Sequence, residues 1–397
     1  MSESFSIGCL PKILFGVGQR NKLAGLITQF GTRALLVTGA RSLADSAYGA
    51  RLIQSLGDKG IDHHTATVSG EPTPELVDSV VTRYRKAHID VVVGIGGGSA
   101  MDTAKAVAGL LPHGNSVMDH LEGVGAGRDY RGPATPLIAV PTTAGTGSEA
   151  TKNAVLSVHG ENGFKKSFRD DALVPNYAVV DPDFLVTCPP AQIAANGLDA
   201  LTQLMESYVS LRANPLVDAL ALEGIEKLCS GFFDCHEGGN SDAARKGRMS
   251  MSYAALLSGI TLAQVGLGSV HGLASPLGAF YPIPHGVACG ALLTSATRWN
   301  IHALVERDPN SSALTKYAHL GTMIGGAPPG DSPVAWQTLV DTLDNWSQRL
   351  AIPRLGEYGV DKSSIGKIVA ASRGSSMQTN PIKLQDREIA SIVEECL

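Results

Sequence analysis

The chain has 397 residues, of which 44% are hydrophobic and 17% are charged, and its formal net charge is −5. This composition supports a large buried core in one large domain or two, and it argues against a disordered chain. A weakly acidic chain without a basic block argues against nucleic acid as a partner.

The six cysteines show no CxxC spacing, which predicts reduced, mostly buried thiols in a cytoplasmic protein. The first residues do not combine a basic region with an apolar one, so no signal peptide is predicted. Residues 249–297 contain no Asp, Glu, Lys or Arg, but Ser, Thr, Gln, Gly and Pro interrupt the run. Because a membrane span needs about 20 apolar residues, this pattern favours buried core helices.

Strand and helix patterns alternate through the first half of the chain. Apolar runs and turn residues predict these elements: a strand and turn over 5–16, helices over 20–30, 50–56 and 73–87, strands over 34–38, 64–68 and 136–140, and a loop over 112–133. Thr73 is predicted to cap its helix, with Pro74 at the first position. The alternation predicts a Rossmann-like parallel sheet, whose ligands bind at the carboxyl ends of the strands.

A glycine turn follows the β-branched run VVV at 91–93, which predicts a buried strand. Gly96, Gly97 and Gly98 let the backbone turn sharply and leave N–H groups uncovered. Ser99 is predicted to cap the next helix, and Asp102 fits the last position of a capping box. Free N–H groups and the helix dipole suit a pyrophosphate. The spacing is neither GxGxxG nor a P-loop, so a tight turn without a ligand stays open.

The loop PTTAGTGSEAT at 141–151 leaves the next strand in the same way. It is dense in hydroxyls and glycines, and its candidate binding residues are Thr142, Thr143, Thr146 and Ser148. Their hydroxyls can hold phosphate and ribose oxygens, and the alternative is a solvated turn. The position directly after a strand favours binding.

The pattern changes near residues 188–190, where strands end and helical patterns with small residues begin. We therefore predict an α/β dinucleotide-binding domain over 1–188 and an all-α metal- and substrate-binding domain over 189–397.

The helical half contains a candidate metal site. Asp199 and Gln203 are four residues apart, so they share one helix face. His271 and His285 bracket a segment without formal charge, where imidazoles need polar partners. One carboxylate and two imidazoles are a plausible set for a divalent metal. Each histidine taken alone also fits a hydrogen-bonded core residue.

Taken together, several motifs resemble the iron-containing (group III) alcohol dehydrogenases. The motifs are GGGSAMDTAK at 96–105, PTTAGTGSEAT at 141–151, GLDALTQ at 197–203, GSVHGLASPLG at 268–278 and PIPHG at 282–286. The resemblance implies a nucleotide-binding α/β domain, an all-α metal domain and an active site in the cleft between them. It also implies NAD(P)-dependent oxidation of a small alcohol, or reduction of the aldehyde, in a homodimer or higher homo-oligomer.

The resemblance implies roles for individual residues. In the family, an acidic residue at the position of Gly39 commonly selects NAD, so Gly39 and the nearby Arg41 imply that NADP is accepted. Lys165 matches a lysine near the cofactor ribose. The predicted cofactor-binding residues are Gly39, Arg41, Gly96, Gly97, Gly98, Ser99, Asp102, Thr142, Thr143, Thr146, Ser148 and Lys165. The predicted catalytic and metal-binding residues are Asp199, His271 and His285, with Gln203 as a further metal ligand. Iron is the implied metal, with zinc as the alternative.

Two departures from the family pattern leave alternatives open. Gln203 stands where the family usually has a histidine ligand, and Ser275 stands where it often has a second histidine. Gln203 either coordinates through its amide oxygen or leaves a three-residue site, as in the related zinc-dependent glycerol dehydrogenases. Metal-free maleylacetate-reductase-like enzymes, dehydroquinate-synthase-like lyases and a binding protein without catalysis are the competing functions. Phe164, Leu267 and Phe280 are predicted to give the cleft an apolar lining.

Overall fold

The computed structural model describes residues 4–40, 43 and 47–397. The strands are β1 (Lys12–Phe15), β2 (Arg33–Gly39), β3 (Asp62–Val68), β4 (Val91–Gly96), β5 (Leu137–Pro141), β6 (Asn153–Val158), β7 (Phe164–Arg169) and β8 (Tyr177–Val180). The helices of the first half are α1 (Leu23–Ile27), α2 (Ala47–Asp58), α3 (Pro74–Tyr84) and α4 (Gly98–Leu110). Those of the second half are α5 (Pro190–Val209), α6 (Pro215–Glu237), α7 (Asp242–Val265), α8 (Ser269–Phe280), α9 (His285–Arg307), α10 (Ser312–Gly325), α11 (Ser332–Arg349), α12 (Ile365–Ala371) and α13 (Asp386–Glu395).

Within the described residues, six strands form a parallel sheet in the order β1-β8-β5-β4-β2-β3. Its central strands are fully buried because they are apolar on both faces, as in VVVGIG of β4 and LIAVP of β5. Helical structure alone follows from α5 onward in the described chain. The predicted fold class, a Rossmann-like parallel sheet with an all-α C-terminal region, is confirmed.

The helix starts in the first half depend on local capping. Thr73 caps α3 as predicted, because its hydroxyl accepts a hydrogen bond from the Leu76 N–H at 3.2 Å. The predicted Ser99 cap on α4 is wrong. That helix begins at Gly98 and its N-cap is Gly97, so Ser99 lies inside the first turn. Asp102 therefore makes no capping box, and its carboxylate accepts from the Ser148 hydroxyl.

An antiparallel hairpin of β6 and β7 was not predicted from the sequence. Its strand β7 carries the charged segment FKKSFR, which obscures the alternation expected of a strand. The hairpin packs on the sheet domain because Ala154, Leu156 and Phe168 join the same buried cluster as Val107 of α4. This placement brings Lys165 of β7 toward the carboxyl edge of the sheet.

The helical half follows the last strand of the sheet. Strand β8 ends at Val180 and α5 begins at Pro190, and the domain boundary near 188–190 stays a prediction. Residues 249–297 form most of α7, α8 and α9, and their apolar side chains are largely buried. No single helix in the described chain meets the length and hydropathy of a membrane span, although the bent pair α7–α8 does by length and composition alone.

The two halves meet at a pair of glycines. Gly147 follows β5 with a φ of +59°, and a Cβ there would lie 2.3 Å from the Gly259 Cα of α7. A Cβ on Gly259 would lie 2.1 Å from the Gly147 carbonyl oxygen. Only glycine allows this close approach. The contact holds the loop that follows β5 against the helical half.

Candidate active site

A cavity of about 1600 Å³ lies between the carboxyl edge of the sheet and the helical half. The predicted site residues that line it are Gly39, Gly97, Gly98, Ser99, Asp102, Thr142, Thr143, Thr146, Ser148, Lys165, Asp199, Gln203, His271 and His285. Gly96 is buried at the end of β4 and does not belong to this lining among the described residues. Arg41 lies outside the described residues.

The glycine turn and the hydroxyl-rich loop pack directly against each other. The Thr142 N–H donates to the Gly96 carbonyl at 2.9 Å. A Cβ on Gly98 would lie 2.9 Å from Thr146 Cγ2, and one on Gly97 would lie 3.3 Å from Thr143 Oγ1. Glycine at these positions therefore allows the loop to approach the start of α4 closely. The same residues line the cavity, where an anion would meet the N–H groups of the helix start.

A buried lysine ties these two segments together. Lys105 is fully buried, and its Nζ donates to Ser148 Oγ at 2.6 Å, Thr151 Oγ1 at 2.7 Å and the Asn153 carbonyl at 2.8 Å. Ser148 Oγ in turn donates to Asp102 Oδ1 at 2.6 Å. Asp102 and Ser148, both predicted as cofactor residues, thus also hold the loop in place. Sequence reasoning assigned no role to Lys105, because the three oxygens to which it donates lie more than 40 residues away in the chain.

The predicted Lys165 forms an ion pair at the other side of the cavity. Its Nζ donates to Glu71 Oε2 at 2.8 Å, and Ser157 Oγ donates to the same oxygen at 3.1 Å. Burial opposes ionisation of Glu71, but Lys165 outweighs it and lowers the pKa of the carboxyl. Sequence reasoning missed Glu71, although its position just after β3 at the carboxyl edge was the available signal.

The helical half brings the predicted metal ligands together. His271 Nε2 lies 3.2 Å from Asp199 Oδ1, and His285 Nε2 lies 3.7 Å from the same oxygen. Asp199 is 1% exposed, and its second oxygen, Oδ2, is buried without a hydrogen-bond partner in the described structure. A buried carboxylate oxygen left without a donor is costly unless a cation satisfies it. The donor set therefore fits a divalent metal ion.

Glu206 orients the His271 ring through Nδ1, the nitrogen that does not face Asp199. The His271 Nδ1–H donates to Glu206 Oε2 at 2.7 Å, and the Val270 N–H donates to Glu206 Oε1 at 2.7 Å. This bond fixes the ring and turns Nε2 toward Asp199. A carboxylate–imidazole pair of this kind commonly supports a metal-binding histidine, and sequence reasoning did not identify Glu206.

The electrostatics of the set favour a carboxylate and a free imidazole. Burial lowers the pKa of His285 to about 4, so its ring is neutral near neutral pH and keeps a lone pair for a metal. Burial by itself would raise the pKa of Asp199, but His285 and His271 outweigh it and lower the pKa. Asp199 is therefore anionic.

Gln203 lies beside this set in an orientation that the sequence did not specify. Its amide nitrogen donates to Asp199 Oδ1 at 3.0 Å, and its amide oxygen accepts from Ser258 Oγ at 2.7 Å. This arrangement favours Gln203 as a hydrogen-bond partner of Asp199 over its predicted role as a metal ligand. Ser275, the other departure from the family pattern, donates to the Lys165 carbonyl at 3.2 Å.

Cys289 is a member of the cluster that sequence reasoning missed. Its Sγ lies 3.8 Å from His271 Nε2 and 3.7 Å from His285 Nε2. The ligand atoms of Asp199, His271, His285 and Cys289 all lie within 4.8 Å of one another. The available signal was spacing, because Cys289 follows His285 by four residues and so shares its face of α9.

The predicted apolar lining is only partly correct. Leu267 lines the cavity, whereas Phe164 and Phe280 do not belong to its lining in the described chain. Phe164 packs against the core under α4, and Phe280 lies beneath Lys367, whose Nζ is 4.0 Å from the ring centroid. Both rings pack against the hydrophobic core and do not line the cleft.

Two models of one protein family match this chain, and together they cover most of it. The model described as iron-containing alcohol dehydrogenase matches residues 11–182, and its C-terminal counterpart matches residues 193–397. The chain belongs to the iron-containing alcohol dehydrogenase family. The enzyme is therefore an oxidoreductase that interconverts alcohols and aldehydes with NAD(P), and the predicted family and reaction are confirmed. The family implies a metal ion as well as the nicotinamide cofactor.

Relatives match this alcohol dehydrogenase over nearly its whole length. It is 32% identical to 1,3-propanediol dehydrogenase of Citrobacter freundii, over 97% of this chain and 95% of the relative. It is 31% identical to alcohol dehydrogenase 4 of Saccharomyces cerevisiae strain YJM789, over 97% of this chain and 96% of the relative. The solved structure of a 1,3-propanediol oxidoreductase superposes with a TM-score of 0.89 at 28% identity, and the match covers 100% of each chain.

Proposed function

We propose that the enzyme oxidises a small alcohol, or reduces its aldehyde, beside a divalent metal ion held by Asp199, His271 and His285. The observation that carries this proposal is the buried, unpartnered Asp199 Oδ2 next to two imidazole nitrogens. The relatives, which include a 1,3-propanediol dehydrogenase and an alcohol dehydrogenase, support a small alcohol substrate.

Each residue of the set has a distinct task. Asp199 provides the negative charge, His271 and His285 provide nitrogen ligands, and Glu206 holds His271 in the tautomer that exposes Nε2. When bound, the metal supplies a Lewis acid for the substrate oxygen and the nicotinamide cofactor supplies or accepts the hydride. The set accommodates iron and zinc, both of which bind carboxylate and imidazole ligands.

The sheet side of the cavity positions the cofactor. Its pyrophosphate would lie against Gly97, Gly98 and Ser99 at the start of α4, where the N–H groups face the cavity. The loop over 142–148 would line the nicotinamide side, so the ring lies between the sheet and the metal ligands. The Lys105 network fixes that loop and limits its motion. These contacts hold the reacting carbon near the nicotinamide, which is the main contribution of the protein to hydride transfer.

Removal and return of the metal tests this function. We expect chelation to abolish alcohol-dependent reduction of NAD(P), because the substrate oxygen then loses its Lewis acid. Adding back iron or zinc should restore the activity, measured as NAD(P)H absorbance with a panel of small alcohols and aldehydes. Full activity in protein verified to be metal-free would contradict the proposal.

We also propose that the enzyme accepts NADP as well as NAD. Gly39, at the end of β2, lines the cavity and carries no carboxylate that would repel a 2′-phosphate. Gly39→Asp should raise the ratio of kcat/KM for NAD over NADP roughly tenfold, because a close like charge costs on the order of 1–3 kcal/mol.

Gly39→Asn is the matched control for this effect, since it adds the same volume without the charge. We expect its NAD/NADP ratio to stay near that of the wild type. Rejection of NADP by the wild type, or an equal shift in both variants, would show that the charge at position 39 does not select the cofactor.

A homodimer or higher homo-oligomer is a further proposal, supported by the edge of the sheet. Strand β1 is an edge strand, and apolar side chains near it are exposed, including Phe5, Ile7, Leu10 and Ile13. Exposed apolar edges of this kind tend to be covered by another chain.

The cysteines of the described chain are free thiols, which supports the predicted cytoplasmic location.

A further inference from the structure

We propose that Cys289 supplies a fourth protein ligand to the metal, in place of the amide at Gln203, and that its sulfur shifts the metal preference toward zinc. This inference rests on the proposed metal-dependent function. It concerns which atoms hold the ion, and therefore which ion the site selects.

The distances around Cys289 match a tetrahedral metal site. An ion bonded to nitrogen at about 2.1 Å and to sulfur at about 2.3 Å holds those two atoms about 3.6 Å apart. The observed separations from Cys289 Sγ are 3.8 Å to His271 Nε2 and 3.7 Å to His285 Nε2. The same geometry places nitrogen and oxygen about 3.4 Å apart, and Asp199 Oδ1 lies 3.2 Å and 3.7 Å from the two imidazoles.

The position of Cys289 leaves the substrate side open. Asp199, His271 and His285 line the cavity, whereas Cys289 is fully buried and is not part of that lining among the described residues. The sulfur therefore approaches from the protein side. Substrate approaches from the cavity and would bind as a fifth ligand, an expansion of the coordination shell that catalytic zinc sites undergo.

Gln203 has a different task in this arrangement. Its amide oxygen already accepts from Ser258, and its nitrogen donates to Asp199 Oδ1. Rotating the amide would present the oxygen but would remove the hydrogen bond that Asp199 accepts. Gln203 is thus a positioning residue for Asp199. Cys289 is the fourth protein ligand.

Charge and softness explain the expected metal preference. A thiolate and the Asp199 carboxylate together balance a divalent ion, and binding releases the thiol proton to solvent. Thiolate ligands favour zinc over harder ions, whereas carboxylate and imidazole alone discriminate less. The sulfur should therefore increase the affinity for zinc more than the affinity for ferrous iron.

Cobalt substitution tests the sulfur ligand directly. We expect the full-length enzyme loaded with Co²⁺ to show a near-ultraviolet thiolate-to-cobalt charge-transfer band. The band should be lost in Cys289→Ser and in Cys289→Ala, with far-ultraviolet circular dichroism confirming that each variant is folded. Cys235→Ser is the matched control, because Cys235 is buried in α6 within a core cluster that contains none of the ligands, and its band should match the wild type.

Metal competition tests the preference. With a chelator of known affinity, Cys289→Ser should lose zinc affinity by at least about 100-fold, because losing a direct ligand should cost no less than losing a partner of a ligand. It should lose less affinity for ferrous iron. Stoichiometric cobalt without a sulfur band in the wild type would overturn the inference while leaving the metal function intact. Loss of zinc in Gln203→Ala but not in Cys289→Ser would also overturn it. A wild type that binds no metal would overturn the proposed function itself.

Discussion

Asp199→Asn should lower metal affinity and kcat/KM by more than about 100-fold, which exceeds the usual cost of losing an outer-shell partner. The substitution keeps the size of the side chain but removes the charge that balances the ion. Asp199 is the carboxylate of the ligand cluster, and its buried Oδ2 has no other partner among the described residues. Metal content after gel filtration and initial rates with an alcohol substrate measure the effect.

Glu206→Gln provides the graded comparison for this result. Glu206 contacts His271 but not the cavity, so we expect a loss of roughly 10- to 100-fold, smaller than that of Asp199→Asn. Wild-type metal content in Asp199→Asn, or an equal loss in the two variants, would show that Asp199 does not ligate the ion.

Lys105→Met should lower the free energy of unfolding by about 3–5 kcal/mol, the cost of breaking a buried ion pair by removing one partner. The methionine fills similar volume, but Ser148, Thr151 and the Asn153 carbonyl lose their common donor. Asp102 also loses its cation, 3.6 Å away. Urea unfolding followed by circular dichroism measures the change.

Lys152→Met is the control for this prediction. Lys152 pairs with Asp171 at the surface, and an exposed pair is worth about 0–1 kcal/mol. Similar losses of unfolding free energy in the two variants would show that burial does not explain the contribution of the Lys105 network to stability. If Lys105→Met instead leaves stability unchanged but raises the KM for NAD(P), the network matters only for positioning the loop.

Much of this architecture is predictable because it is local in sequence. The apolar runs of β4 and β5 and the glycines after β4 specify a buried sheet with a turn at its carboxyl edge. The spacing of Asp199 and Gln203 places both on one helix face, and the motif order brings His271 and His285 to the same site. In each case, every residue could be identified from the element or the motif that contains it.

The missed features depend on contacts between distant segments. Lys105 meets Ser148 and Asn153 only after the β6–β7 hairpin folds over α4. Glu71 meets Lys165 across 94 residues. The orientation of Gln203 was missed for the same reason, since Ser258 of α7 holds its amide oxygen. Periodicity and motif spacing carry no information about such pairings.

Diffraction from a crystal of the enzyme loaded with metal and NAD(P), recorded at the absorption edge of the metal, tests the central claim most directly. We expect one anomalous peak at the cavity, about 2.0–2.2 Å from the nearest atoms of Asp199, His271 and His285. We also expect the nicotinamide to lie between this peak and the loop over 142–148. A fully active crystal with the metal bound elsewhere, or with the nicotinamide turned away from these residues, would contradict the account.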